Sequence, residues 1–322
     1  MTSACLRRPL RSFTSRFPAQ PLALLSLLFC CTLALGQTPD PAAKTPTTPT
    51  PAPAPRDFEL RRNDPSKWVW SFPDPMPLVT HGEVHSQAMD RAIGYNIHLP
   101  PEYEAHPEWR FPVVYFLHGA SSNEKGGAGL AKVVNAERAA GRTGPVIWVF
   151  VNGGPFSGYY DWPDSYVKTE TYLLKELIPA IESRYRTRTD RAGRAICGYS
   201  MGGNGAVRLA TKYPDLFCAV NAIAGAFGTG RTLAANDNVE HWTRTNIAQI
   251  RGRLPMRFFI GADDRLLPNQ TAYHAVLDEL HLGYHYTVIE GRGHQIGEMW
   301  NEVCPDFVRT IGQACAPPLK KD

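Results

Sequence analysis

Residues 194–212 read RAICGYSMGGNGAVRLATK and give the clearest indication of the fold. An apolar run over residues 194–197 leads into Gly198-Tyr199-Ser200-Met201-Gly202-Gly203, and a helical pattern follows over residues 204–212. This is the G-x-S-x-G pattern in the strand–turn–helix context that gives it meaning. Gly198 and Gly202 must be small, because side chains there would collide with neighbouring backbone. The stretch therefore predicts that Ser200 is a nucleophile at the carboxyl edge of a sheet.

Apolar runs with strand character recur along the chain and alternate with helical patterns. The strand-like runs cover residues 82–85, 92–98, 112–117, 146–151, 194–197, 219–223, 256–260 and 284–289. The helical patterns cover residues 170–185, where Pro179 should introduce a kink, 204–212, 271–282 and 297–311. This alternation predicts an α/β fold with a mostly parallel sheet of about eight strands, helices on both faces and an antiparallel start.

A serine nucleophile needs a base, and the base needs a group that fixes its tautomer. For this turn the order along the chain should be serine, acid, histidine. The run 256–260 is followed by Gly-Ala-Asp263-Asp264, and the next run is followed by Gly-Arg-Gly-His294. We therefore expect Ser200, His294 and an aspartate to converge. The spacing alone does not choose between Asp263 and Asp264.

The oxyanion of the tetrahedral intermediate needs two hydrogen-bond donors. The backbone N–H of Met201, directly after the serine, is one candidate. The other is the N–H of Ala120, in the loop after residues 112–117. His118 in the same loop is interpreted as a loop-shaping residue rather than a second base.

Aromatic residues cluster beside the predicted nucleophile and are candidates for substrate binding. Tyr159, Tyr160 and Trp162 follow the run 146–151, on the sheet edge where ligands bind in this fold class. Trp300 lies six residues after His294 and could either support the histidine or pack the last helix. We expect these side chains to line an acyl or sugar pocket, with the alternative that loop aromatics only cover the core.

The N-terminal segment has the features of an export signal. Four arginines precede an apolar run over residues 22–35, which is shorter than the ~20 residues that span a bilayer as a helix. Residues 1–36 are predicted to be a signal peptide, with an uncleaved anchor as the alternative. Residues 37–56 are rich in Pro and Thr and predict a disordered linker. The folded domain should cover residues 57–316, and residues 317–322 form a basic tail.

Charge and side-chain chemistry restrict the possible partners. Loss of the signal takes 34 basic residues to 30, equal to the 30 acidic residues, so nucleic acid is not an expected partner. No membrane insertion is expected after cleavage. His81 and His85 would lie about 13 Å apart on a strand, too far to share a metal ion. Oligomeric state remains open.

Four cysteines remain in the predicted mature chain, and export would permit disulfides. Cys197 and Cys218 lie in apolar runs and are interpreted as buried thiols. Cys304 and Cys315 flank the end of the last predicted helix. A bridge between them would require the tail to fold back.

Several segments together resemble the Putative esterase family. They are NIHLPPEY at residues 96–103, the loop at 117–120, KELIPAIESRYR at 175–186, the serine turn at 198–203 and residues 291–300. The resemblance covers roughly residues 83–313. It implies an α/β-hydrolase with a Ser-Asp/Glu-His triad and no cofactor. The family's acid usually lies in a Gly-x-x-Asp-x-Leu pattern, which residues 261–266 satisfy with Asp264. Gln295 departs from the acidic residue that commonly follows the histidine, whereas Trp300 is kept.

The expected function is therefore that of an exported serine esterase. Small-molecule or polysaccharide esters, such as feruloyl or acetyl esters, are the expected substrates. An acyltransferase would use the same groups with an alcohol in place of water. A catalytically silent ligand-binding protein is the alternative from a different class.

Overall fold

The computed structural model describes residues 11–13, 64–228 and 236–320. Within them a nine-stranded sheet has the order β1-β10-β9-β8-β7-β5-β6-β3-β2, and β4 pairs separately with β11. The strands are β1 Arg11–Phe13, β2 Thr80–Ser86, β3 Arg91–His98, β4 Trp109–Arg110, β5 Val113–Leu117, β6 Ile147–Val151, β7 Arg194–Tyr199, β8 Val220–Ile223, β9 Met256–Gly261, β10 His285–Ile289 and β11 Leu319–Lys320. All eight predicted runs are strands of this sheet.

The helices follow most of the parallel strands. They are α1 Glu102–Ala105, α2 Leu130–Ala139, α3 Thr169–Thr171, α4 Ile178–Arg184, α5 Met201–Lys212, α6 Val239–Thr245, α7 Ile247–Ile250, α8 Leu267–Glu279 and α9 Ile296–Ala314. The four predicted helical patterns are confirmed, whereas α1, α2, α6 and α7 were not predicted. A π-helical turn, Tyr172–Leu177, joins α3 to α4, and the N–H of Ile178 bonds Leu173 O, five residues back. The irregularity lies just before Pro179, which has no N–H to continue a regular helix.

The sheet is parallel from β6 through β5, β7, β8 and β9 to β10. The strands β2 and β3 are antiparallel to each other, and β3 is antiparallel to β6. This confirms the α/β fold with an antiparallel start. Since β5 and β7 lie side by side at the centre, the loops that follow them meet at one edge.

Two apolar layers cover the faces of the sheet, because successive strand residues point to opposite sides. In β5, Val113, Tyr115 and Leu117 belong to one layer, whereas Val114 and Phe116 belong to the other. All five are buried. The near-continuous apolar sequence of this strand is thus explained by burial on both faces.

The predicted segments at the chain ends are described only in part. The proposed linker and most of the proposed signal peptide lie outside the described residues. Residues 11–13 of that signal form β1, antiparallel to β10. In the proposed tail, Leu319 and Lys320 pair with Arg110 and Trp109. Within the described residues, no helix combines the length and apolar composition needed to cross a bilayer.

The four cysteines of the described residues are buried free thiols. Cys304 and Cys315 are therefore not bridged in this structure. Cys315 instead has its side-chain contact with Cys218.

Candidate active site

Ser200 lies on the turn between β7 and α5 in a backbone conformation that non-glycine residues rarely adopt. Its φ is 53° and its ψ is −115°. The surrounding backbone holds this strained geometry: the Ser200 N–H donates to Ile223 O at 2.9 Å, and Ser200 O accepts from Asn204 and Ala226 at 3.0 Å each. Strain maintained in this way is typical of functional turns. The turn thereby presents the Ser200 side chain at the carboxyl edge of the sheet.

The two glycines of the turn allow β5, β7 and α5 to approach closely. A Cβ at Gly198 would collide with the backbone of Gly202, and a Cβ at Gly202 would collide with Leu117 O. The expectation that both positions must be small is confirmed. The end of β5 consequently lies directly against the serine turn.

The structure brings three predicted residues into one hydrogen-bonded row. Ser200 Oγ lies 2.9 Å from His294 Nε2. His294 Nδ1 lies 2.8 Å from Asp264 Oδ2 and 3.0 Å from Asp264 Oδ1. Asp263, the alternative acid, is exposed. The row has the order hydroxyl, imidazole, carboxylate that activates a serine for nucleophilic attack.

Asp264 is held by the backbone that follows β9. Its side chain is fully buried, and Oδ1 accepts the N–H of Leu266 at 2.8 Å. The histidine loop is attached to the same turn, since the N–H of Asp263 donates to Arg292 O at 2.9 Å. Gly261 permits this approach, because a Cβ there would collide with Arg292 O. Two loops distant in sequence thereby bring the carboxylate and the imidazole together.

Tyr199 is a site residue that the sequence analysis missed. Its hydroxyl donates to His294 O at 2.7 Å, and its ring stacks on the imidazole with centroids 5.3 Å apart. Burial raises the pKa of Tyr199 to about 12, so the phenol remains a neutral donor around neutral pH. The available signal was its position directly before the serine, at the end of β7.

The two predicted oxyanion donors lie on segments that border Ser200. Met201 is the first residue of α5, and the first N–H groups of a helix have no intrahelical acceptor. Ala120 lies in an exposed turn after β5. Its neighbour Gly119 is close enough that a Cβ there would lie 3.4 Å from Ser200 Cβ. Backbone N–H groups from both segments can thus donate hydrogen bonds to negative charge that develops beside the serine.

His118 is bonded by backbone on both sides of its ring. Nε2 accepts the N–H of Gly153 at 3.1 Å, which leaves Nδ1 to donate to Gly119 O at 2.8 Å. Burial lowers the pKa of His118 to about 4. Tyr159 adds a hydrogen bond from its hydroxyl to His118 O at 3.2 Å. Through these contacts His118 connects the loop after β5 to the loop after β6.

The aromatic residues proposed for substrate binding have different environments. The Tyr159 side chain is fully buried, in space that Gly153 and Gly205 leave for its ring. The Tyr160 ring lies 4.0 Å from the Arg208 guanidinium. These two rings support the loop in this conformation instead of facing solvent.

Trp162 is partly buried, and its Nε1 donates to Ser157 O at 3.0 Å. It packs edge-on against Trp68. Trp300 is in α9, but its side chain lies outside the described part of the structure. Among the side chains that the structure describes, no three His, Cys, Asp or Glu residues are grouped so that they could hold a metal ion.

Several known esterases are similar to this chain. An esterase of Mycobacterium tuberculosis is 29% identical over 197 residues, covering 60% of this chain and 39% of that protein. A Xylanibacter ruminicola endo-1,4-beta-xylanase/feruloyl esterase is 28% identical over 154 residues, covering 43% of this chain and 21% of that protein. The chain thus spans well under two thirds of either relative. A solved ferulic acid esterase superposes with a TM-score of 0.67 at 25% identity, covering 73% of this chain and 98% of its own.

The family comparison covers most of the folded part of the chain. Residues 86–291, from the end of β2 to just beyond β10, match the family described as Putative esterase. That range includes Ser200 and Asp264, and it ends three residues before His294. With its α/β-hydrolase fold, the chain belongs to the Putative esterase family.

Proposed function

We propose that the chain is an exported serine esterase that cleaves carboxylic esters through an acyl-enzyme on Ser200. The observation that carries the proposal is the unbroken contact from the Ser200 hydroxyl through His294 to the buried carboxylate of Asp264. A serine hydroxyl is a weak nucleophile at neutral pH, and an adjacent oriented base is what activates it.

The reaction proceeds in two acyl transfers. His294 Nε2 takes the proton of Ser200 while Oγ attacks the ester carbonyl, and the N–H groups of Met201 and Ala120 bind the oxyanion. Asp264 fixes the imidazole by accepting the N–H at Nδ1, and it stabilises the imidazolium. His294 then returns the proton to the leaving alcohol. Water, activated by the same histidine, releases the acid from Ser200.

Feruloyl and acetyl esters of polysaccharides are the proposed substrates. The feruloyl substrate is supported by the Xylanibacter ruminicola relative, which is named a xylanase/feruloyl esterase, and by the solved structure, which is named a ferulic acid esterase. The sequence of residues 1–36 supports export, which would give the enzyme access to extracellular polysaccharide. Trp162 is partly exposed on the loop after β6, and we assign it to the rim of the substrate cleft.

The test compares Ser200→Ala with Ser183→Ala, a change at an exposed serine on α4. Each protein is treated with a fluorophosphonate probe and assayed on feruloyl, acetyl and longer acyl esters. Ser200→Ala should lose both labelling and hydrolysis, whereas Ser183→Ala should retain both. Labelling of Ser200→Ala at full strength would overturn the assignment.

The same assays distinguish the alternatives. An enzyme that is labelled but transfers acyl groups to an added sugar in preference to water is an acyltransferase. A protein that binds esters but is neither labelled nor active is a silent binding protein. Either result would replace hydrolysis as the proposed function.

A further inference from the structure

Two cysteines that are distant in sequence contact each other on one face of the central sheet. Cys218 precedes β8, and Cys315 follows the last residue of α9. Both side chains are buried in the same apolar layer. Their thiols are in direct side-chain contact. Neither residue belongs to the site around Ser200, so the proposed ester hydrolysis does not explain this contact.

Backbone hydrogen bonds hold both cysteines against one short segment. The N–H of Cys218 donates to Arg194 O at 2.8 Å. The N–H of Ala316, next to Cys315, donates to Ala192 O, also at 2.8 Å. Because the two acceptors are only two residues apart, the main chain fixes the cysteines near each other independently of their side chains.

The residues after Cys315 are anchored as well. Arg188 donates from Nη1 to Pro317 O at 2.6 Å. Leu319 and Lys320 then pair with β4 in an antiparallel ladder. The C-terminal segment is thus held on both sides of the cysteine, and the thiol contact is a defined feature of the packed domain.

We propose that Cys218 and Cys315 are joined by a disulfide in the oxidised, exported protein. The inference rests on the export proposed above only for the compartment in which the bond would form. The oxidant is an external disulfide. One cysteine thiolate attacks it and releases one external thiol, and the second cysteine thiolate attacks the resulting mixed disulfide and releases the other. Two electrons pass to the external disulfide, and the two cysteine protons are balanced by the two thiols released.

In the packed domain, contact between the two thiols shifts their pKa values in opposite directions. Contact with the Cys315 thiol and the positive charge of Arg191 lower the pKa of Cys218. Contact with Cys218 and burial raise the pKa of Cys315. Since both side chains are buried in the folded domain, the exchange takes place before the C-terminal segment packs, and either thiolate can attack first.

The other two cysteines provide the matched control. Cys197 is on β7, Cys304 is on α9, and burial raises the pKa of both thiols. A bridge from residue 218 to residue 315 closes a loop of about 100 residues, and a long loop of this kind restricts the unfolded chain more than a short one. Loss of the bridge should lower Tm by about 5–15 °C in a domain of this size.

The experiment refolds the reduced, unfolded protein with oxidised glutathione, blocks free thiols with N-ethylmaleimide, and maps the peptides without reduction. A peptide pair linking residues 218 and 315 is expected, and dithiothreitol should lower Tm. Cys315→Ala should already have a Tm below that of the oxidised wild type when no dithiothreitol is present. Cys304→Ala should retain both the linked peptides and the response to dithiothreitol.

Alkylation of both Cys218 and Cys315 in the refolded protein would overturn the proposal. A linked pair that contains Cys304 would also overturn it. Ester hydrolysis is measured on the same samples. A missing bridge with full hydrolysis contradicts only the disulfide, and an intact bridge without hydrolysis contradicts only the proposed function.

Discussion

Two histidines at the carboxyl edge of the sheet illustrate how partners determine the role of an imidazole. His294 lies between a hydroxyl, Ser200 Oγ, and a carboxylate, that of Asp264. His118 lies between two backbone groups, the N–H of Gly153 and the carbonyl of Gly119. The side chain of His294 is 18% exposed, whereas residue His118 is 1% exposed.

The difference lies in what each environment does to a proton on the ring. A carboxylate next to Nδ1 stabilises the imidazolium, and in the proposed mechanism His294 therefore takes the serine proton and returns it. His118 has no carboxylate on its ring nitrogens, and burial lowers its pKa to about 4. It remains neutral at neutral pH and connects two loops. Sequence position at a strand end therefore does not by itself identify a base.

The largest expected effect comes from removing the charge of Asp264, the carboxylate that contacts His294 and has no counterpart at His118. Asp264→Asn leaves His294 beside a neutral amide that can no longer stabilise the imidazolium. We expect kcat for ester hydrolysis to fall about 10⁴-fold, with little change in KM. Steady-state kinetics on an acetyl ester measures both constants.

Asp263→Asn is the matched control for that change, because Asp263 is exposed and adjacent in sequence. It should retain kcat within about twofold, as surface substitutions usually have small effects. If the two asparagine variants lost activity equally, the row from Ser200 to Asp264 would not be the catalytic arrangement.

The second effect concerns stability and comes from His118. Its pKa is about 4 in the folded protein and 6.5 in the unfolded chain, so between these pH values only the unfolded chain binds the proton. The stabilisation is complete above pH 6.5 and is lost as the pH falls towards 4. At about 1.4 kcal/mol per pH unit, this loss amounts to roughly 3 kcal/mol.

His118→Gln tests this prediction, because glutamine can still accept the N–H of Gly153 but does not titrate. Urea unfolding followed from pH 6.5 to about pH 4 should show a smaller loss of unfolding free energy in the variant than in the wild type. His85→Gln, at an exposed position, is the control and should retain the wild-type slope. An unchanged slope in His118→Gln would show that the ring is protonated in the folded state.

The main features of the fold were predictable from the sequence because burial on both faces leaves a plain signal. The central strands β5, β6 and β7 are apolar at nearly every position, and the glycines around Ser200 mark the turn. The helix α2 was missed because only four of its residues, including Glu137, are buried. With so few apolar positions, its helical periodicity is weak.

The site was less predictable where the outcome depended on which way a loop side chain points. The spacing did not separate Asp263 from Asp264, and only the resemblance to the family pattern favoured Asp264; the turn that follows β9 exposes the first and buries the second. Tyr159 was expected to face a substrate. Its ring is buried because Gly153 and Gly205, on different elements, leave room for it. Such coincidences of distant residues are not visible in a local pattern.

Tyr199 shows the same limit and provides the smallest predicted effect. Tyr199→Phe keeps the ring that stacks on His294 but removes the hydrogen bond to His294 O. A single hydrogen bond contributes about 0.5–1.5 kcal/mol, so kcat should fall about 2- to 10-fold. Because the bond positions the histidine and does not touch substrate, KM should remain unchanged. The rate of fluorophosphonate labelling should fall by the same factor as kcat.

Tyr103→Phe is the control, because the Tyr103 hydroxyl also makes one hydrogen bond, which it accepts from the backbone N–H of Arg186. The Tyr103 ring packs on Phe111. Phe111 precedes β5, so this pair lies at the edge of the sheet opposite to Ser200. It should leave kcat and labelling unchanged. A Tyr199→Phe enzyme with wild-type labelling would mean that the glycine-rich loop holds His294 without this bond. The position before the serine would then serve only the packing of the imidazole ring, and the catalytic row would depend on Asp264 alone for its orientation.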